Sequence, residues 1–313
     1  MAASVTASPK RAQLIDTRAL MEIRSLEMRA RVVAQGFWSG IHRSPYHGFS
    51  SEFTEYRQYV EGDDPRFLDW RVYARSDRYY VKKFEDETNL RAHFLLDKSR
   101  SMTFGSEGWT KADYGHTLVA TLAYFLFRQG DAVGLLSFDE GIGDYLPARN
   151  RPGHLRRLML ALEKPAAGRD TNLDKPLRRI VELVDKRGLM VLVSDFLAPI
   201  DELETRLGCL SAAGHDVVAL RVLDIREVDF PFEEALLFHD VETERDLFID
   251  PAAARAGYLR RFEEHAEELR ACCTRLGVQF LSATTDKHPG RVLGDFLRQR
   301  RRAGLGVRRR ENR

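Results

Sequence analysis

Residues 90–101 read LRAHFLLDKSRS, and residues 189–196 read LMVLVSDF. Each is a short apolar run closed by an acid, Asp97 in the first and Asp195 in the second. Between them, residues 132–138 (AVGLLSF) form a near-continuous apolar run of the kind found in strands buried on both faces. A helical pattern within residues 102–130, clearest at TLVATLAYFLFRQG, separates the first of these strands from the next. Residues 145–148 read as a short edge strand, and 153–163 and 173–186 as amphipathic helices. After the second acid-ended strand come a helix over 200–213 and a strand over 216–224 (DVVALRVLD). The rhythm breaks at 227–250 with a hairpin pattern, ALLFHDVETERDLFID. It resumes as a charged helix over 252–276, a strand over 278–282 and a last helix over 289–301. Strand–helix alternation of this kind predicts parallel crossover units, hence a doubly wound α/β fold with a mostly parallel sheet covered on both faces. In such sheets ligands bind outside the carboxyl ends of the strands, where strand order reverses. Asp97 and Asp195 are therefore the first candidates for chemistry.

The stretch preceding this alternation is of another character. Leu20, Ile23, Leu26 and Val33 fall near helical spacing, which predicts a helix over 17–36 with Gly36 as its stop. Residues 37–89 are rich in aromatics and charges and read as short strands and turns, with Gly62-Asp63-Asp64-Pro65 a turn. The expected plan is a flexible start (1–16), an N-terminal helix and short-strand extension (17–89), the sheet domain (90–302) and a basic flexible tail (303–313).

The chain has 313 residues, 43% of them hydrophobic, enough for a substantial core. A net charge of +2 gives no overall field implying nucleic acid or a membrane surface. The charge is uneven, since residues 298–313 read RQRRRAGLGVRRRENR. That tail reads either as a solvated end or as a contact for an acidic partner. Three cysteines, Cys209, Cys272 and Cys273, match neither a disulfide scaffold nor a zinc site, and the adjacent pair reads as small helical core residues. The first 20 residues lack the apolar core of a signal peptide, and no run approaches the ~18 apolar residues of a membrane span. The expectation is a cytoplasmic protein.

The strand ending at Asp97 runs into Lys98-Ser99-Arg100-Ser101, which places an acid and two hydroxyls on one strand-to-helix turn. Residues 168–173 (GRDTNL) offer the hydroxyl of Thr171 before a helix, and Asp195 closes the later strand. Magnesium takes about six oxygen ligands at ~2.1 Å and commonly keeps some waters, a demand that three hydroxyls and two carboxylates suit. A helix N-terminus nearby repels a cation, so Asp97 and Asp195 must outweigh it. The plain alternative is that Ser99 and Ser101 cap the following helix and Asp195 merely ends a strand. Lys98 and Arg100, interleaved in the motif, would weaken a cation unless they point away.

The order Asp97-x-Ser99-x-Ser101, then Thr171, then Asp195 resembles the metal-ion-dependent adhesion site of von Willebrand factor A-type domains, over residues 90 to about 301. The resemblance implies Ser99, Ser101 and Thr171 as ligands of Mg2+ (or Mn2+ or Ca2+), with Asp97 and Asp195 acting through bound waters and a partner carboxylate completing the shell. The preceding segment (SPYHGFS at 44–50, Glu52-Phe53, YRQY at 56–59, GDDPRFLDW at 62–70 and Ala74-Arg75) resembles the bacterial family called domain of unknown function fifty-eight. Its members look like partners of MoxR-type AAA+ ATPases in the maturation or remodelling of protein complexes. This implies a non-catalytic protein–protein interaction module, and makes Asp63, Asp64, Arg66, Asp69, Trp70 and Arg75 candidate partner-binding residues. Read from the residues alone, the same charges and rings equally make a structural ion-pair layer.

Two other classes remain as alternatives: a metal-dependent hydrolase using Asp97 and Asp195, and a nucleic-acid-binding accessory using the tail. A haloacid-dehalogenase-type phosphotransferase needs a second acid two residues after its nucleophile, where this chain has Ser99. A phosphate-binding loop needs a glycine-rich run ending in Lys-Ser/Thr, and none occurs.

Overall fold

A computed structural model describes residues 16–41, 56–58, 73, 75, 79–82, 90–139, 141–166, 179, 182–184, 186–233, 236–239 and 246–302. These fall into two units, one from Met1–Pro45 and Leu90–Arg310, the other from Tyr46–Asn89 with Glu311–Arg313. The extension expected over 17–89 is thereby divided, because its helical part packs with the sheet domain.

The larger unit is built on a six-stranded sheet: β3 (Arg91–Asp97), β4 (Ala132–Phe138), β5 (Ile142–Arg149), β6 (Leu189–Ser194), β7 (Asp216–Leu223) and β10 (Gln279–Thr284). In space the order is β10-β7-β6-β3-β4-β5, and β5 alone runs antiparallel to its neighbour. Strand order therefore reverses between β3 and β6, which pair directly from Ala92 with Leu189 to Leu96 with Val193. This is a doubly wound α/β sheet, and the β3/β6 junction is its switch point. β3, β4 and β6 carry almost no exposed residue, because helices cover both faces.

On one face lie α2 (Leu26–Ile41), α3 (Lys111–Arg128), α4 (His154–Leu162) and α8 (Pro289–Arg302), packed on Phe94, Leu96, Val191 and Val193. On the other lie α5 (Ile200–Ala212) and α7 (Pro251–Arg275), which bring Leu203, Leu207, Leu269 and Cys273 against Leu95, Met190, Leu192 and Ala219. Cys272 and Cys273 are both buried, as the small-core reading expects. No helix among the described residues is long and apolar enough to cross a membrane.

Two sequence expectations change. The helix expected over 17–36 is two helices, α1 (Thr17–Met21) and α2, and Gly36 lies inside α2 rather than at its end. The Arg29 guanidinium holds the break by donating to the Ile23 carbonyl at 2.8 and 3.2 Å. The long helix within 102–130 begins only at Lys111, after a 3-10 turn at Arg100–Thr103. A short helix α6 (Ile225–Asp229) follows β7, and β8 (Leu236–His239) pairs antiparallel with β9 (Asp246–Ile249) as the expected hairpin. The helix expected over 173–186 falls largely outside the described residues.

In the smaller unit β1 (Tyr56–Gln58) pairs antiparallel with β2 (Tyr80–Lys82), and the rings of Tyr73 and Tyr79 stack at 4.5 Å.

Candidate functional site

Asp97 closes β3 at the switch point and is fully buried. Its Oδ1 accepts the Ser99 backbone N–H at 2.8 Å, an Asx-type bond that turns the chain out of the strand. Its Oδ2 accepts the Ser194 hydroxyl at 2.6 Å from the end of β6. Ser99, also buried, makes no side-chain capping bond. Its Oγ instead stands 3.1 Å from the Oγ of Ser101. The helix that follows is capped by Thr110 and Asp113 in a reciprocal capping box. The two serines are thus free of the capping role, and their hydroxyls converge beside Asp97.

Lys98 points away from this cluster. Its Nζ donates to the carbonyls of Ala161 and Lys164 at 3.1 and 2.9 Å, at the carboxyl end of α4. Ala161 lies in the last turn of α4 and Lys164 two residues past its end, so the ammonium meets the negative dipole end of the helix, against a burial that lowers its pKa.

Asp195 follows β6, and the next residue, Phe196, is buried with φ of 52°. A bulky residue in the left-handed region is uncommon, and such strain concentrates at functional loops. Asp195 Oδ2 accepts Lys111 Nζ at 2.8 Å, and Lys111 Nζ also reaches Glu227 Oε1 at 2.7 Å. Arg221 Nε donates to the Asp195 carbonyl at 3.1 Å while its guanidinium lies over the Phe262 ring. Lys111 is completely buried at the start of α3. Burial alone would depress its pKa, but the charges of Asp195 and Glu227 prevail and hold it above the usual lysine value.

Glu227 is itself placed by a capping box, accepting the Asp224 backbone N–H at 2.8 Å. Asp224, at the end of β7, accepts both the N–H and the hydroxyl of Ser106, at 2.9 and 2.6 Å. It also takes the Thr285 hydroxyl at 3.2 Å. Side chains thus lace together the carboxyl ends of β3, β6, β7 and β10 and the loops above them.

The donor chemistry bears on whether a hard divalent cation fits. Adjacent ligand oxygens of an octahedral ion at ~2.1 Å stand about 3 Å apart. The 3.1 Å between the Ser99 and Ser101 hydroxyls matches that spacing. The donors that reach the Asp97 carboxylate are neutral, and its pKa is pushed up to about 6. Burial is the main cause and the negative charge of Asp195 the next, against hydrogen bonds from Ser194 and Ser99. Ser99, Ser101 and Asp97 therefore fit a cation. Asp195 differs, because Lys111 already balances its charge.

Of the residues expected from sequence, the fold brings together Asp97, Ser99, Ser101 and Asp195. Thr171, Asp63, Asp64, Arg66, Asp69 and Trp70 lie outside the described residues, and Arg75 is exposed. Sequence reading missed Lys111 and Glu227. One signal was available: a lysine in the first turn of a helix, where acids are favoured and cations opposed.

Beside Leu197, two residues past Asp195, a groove of about 510 Å³ is lined by Gly257, Tyr258, Arg261, Phe262 and His265 of α7. Leu197 is about half exposed there.

Residues 55–268 match the family described as "Protein of unknown function DUF58". An uncharacterized protein of Mycobacterium tuberculosis, Rv1480, is 28% identical over 300 residues, covering 94% of each chain. Another from Mycobacterium avium, MAV169, is 33% identical over 125 residues, 39% of this chain and 72% of that one. Among solved structures, BatB from Bacteroides thetaiotaomicron aligns with a TM-score of 0.46 at 11% identity, covering 68% of this chain and all of that one. The vWF domain of the type V pili tip protein Mfa5 from Porphyromonas gingivalis aligns with a TM-score of 0.32 at 14% identity, covering 72% and 99%. With likenesses this partial, the fold class rests on the strand order itself.

Proposed function

The chain belongs to the family of proteins of unknown function DUF58, and from that premise we propose that it is a protein-interaction module whose docking face is the carboxyl end of the six-stranded sheet. The observation that carries this reading is the pair of converging hydroxyls, Ser99 and Ser101, held over the buried Asp97 at the switch point and unused by helix capping. A magnesium-class cation would be held by Ser99 and Ser101, with Thr171 as the third hydroxyl implied by the adhesion-site resemblance, and with Asp97 and Asp195 as its carboxylates. When bound, it supplies a coordination position for a partner's carboxylate.

The chain's own groups shape the rest of the contact. Asp97 fixes the loop through Ser99 N–H, so both hydroxyls are positioned before any partner arrives. The groove beside Leu197 takes apolar side chains of the partner, with Arg261 at its wall to meet an acid. The proposed partner is a MoxR-type AAA+ ATPase or a client that it remodels. The test is capture of that ATPase on the immobilised chain in Mg2+, in EDTA, and with the Ser99→Ala/Ser101→Ala variant. Capture only in Mg2+, and only by the unaltered chain, is expected. Equal capture under all three conditions sinks the reading.

A further inference from the structure

The lysine that sequence reading passed over has a consequence for the cation site, and the inference rests on the reading just given. We propose that Lys111 is a positioning residue that competes with the divalent cation for Asp195 and so sets the affinity of the site.

Four observations carry this. First, Lys111 sits in the first turn of an 18-residue helix, the end whose exposed amides oppose a positive charge, and it is fully buried. A buried ammonium in that position is costly unless matched by good ion pairs, and here it has two, at 2.8 and 2.7 Å. Second, the two carboxylates of the site are treated differently. The donors to Asp97 are the Ser99 amide and the Ser194 hydroxyl, both neutral. Asp195 alone has an ammonium built against it. Third, Glu227 gives Lys111 a second anchor independent of the cation site, since the capping box of α6 fixes that carboxylate. When Asp195 turns to a cation, Lys111 keeps one partner and is not left as an uncompensated buried charge. Fourth, Arg221, whose charge also acts on Asp195, hydrogen-bonds the Asp195 carbonyl, so among the described residues Lys111 is the cation bonded to the carboxylate itself.

The chain therefore carries its own monovalent stand-in at Asp195. Cation binding would then exchange the ammonium for the hydrated metal at Asp195, with the lysine retained by Glu227. Such an exchange holds the isolated site at low affinity and makes occupancy depend on further ligands, which a partner's carboxylate can provide.

The experiment is Mn2+ binding to the full chain, followed by electron paramagnetic resonance of the free ion, for the unaltered chain, Lys111→Gln and Glu227→Gln. Removing a unit charge beside the ion is expected to tighten Mn2+ binding by about tenfold or more in Lys111→Gln. Glu227→Gln leaves Lys111 to Asp195 alone and is expected to weaken binding several-fold. This second variant keeps the lysine, so it decides the matter even if Lys111→Gln does not fold, which circular dichroism reports. Equal affinities in unaltered chain and variants overturn the role of Lys111 and leave the cation reading standing. Absence of Mn2+ binding in all three overturns both.

Discussion

The Ser194 hydroxyl donates to Asp97 Oδ2 at 2.6 Å, joining the last residues of two neighbouring parallel strands across the switch point of the sheet. Ser194 Oγ in turn accepts the Phe196 N–H at 3.1 Å. Ser194→Ala thus strands one oxygen of a buried carboxylate and one amide in a strained turn. The expected loss of unfolding free energy is about 3 kcal/mol, read by urea denaturation. A loss below about 0.5 kcal/mol would show that the hydroxyl is not a working donor.

Lys98 tests the opposite end of the same loop. Replacing it with Met keeps the apolar stem and removes two charge-assisted bonds to the end of α4. Stability should fall by about 1.5–3 kcal/mol, while Mn2+ affinity stays within about twofold, because the ammonium already points away from the hydroxyls. A clear rise in affinity would mean that Lys98 opposes the cation after all.

Gly134 sits in β4 where β5 crosses it through an irregular register between Val133 and Leu135. A Cβ there would stand 2.7 Å from the Ala148 nitrogen and 2.8 Å from the Leu146 oxygen, both backbone atoms that cannot swing aside. Gly134→Ala should therefore cost about 2–3 kcal/mol by overpacking. Gly141→Ala, which meets nothing within 4 Å, is the control and should lie within about 0.5 kcal/mol of the unaltered chain in the same urea titration.

His93 lies in the centre of the sheet with its Nε2 lacking a partner among the described residues. Its pKa is lowered from 6.5 to about 4, by burial first and then by His215 and Arg91. The folded chain keeps it neutral where the unfolded chain binds a proton. Its contribution is thus fully present above pH 6.5 and is lost as the pH falls toward 4. The slope is about 1.4 kcal/mol per pH unit. Between pH 6.5 and 5 the unaltered chain should lose about 2 kcal/mol more than His93→Leu. The effects of His116 and Asp131, which also titrate abnormally, cancel in that difference. Parallel pH profiles for the two chains would contradict the assignment.

The sheet was readable because its strands are apolar runs that need no partner to be recognised. LRAHFLLD and LMVLVSDF mark β3 and β6, and their terminal acids fall at the switch point as alternation requires. The break between α1 and α2 was not readable, since neither Gly nor Pro marks it. It is made by Arg29 reaching back six residues to Ile23, a side-chain bond that periodicity does not register. Lys111 was missed for a related reason. Its partners Asp195 and Glu227 lie 84 and 116 residues away, and only the sheet brings them together. Local spacing located the hydroxyls and acids, while the charge balance of the site is a product of long-range packing.

The discontinuity of the larger unit bears on how the chain is made. Helix α2 is synthesised before residue 42, yet it packs on α8, which begins only at Pro289, and Val33 of α2 lies beside Gly290. During vectorial synthesis α3 and α4 can cover much of α2 early, whereas the surface around Val33 waits for α8. A chain halted before residue 289 thus leaves the part of α2 around Val33 without α8 and presents that patch to chaperones.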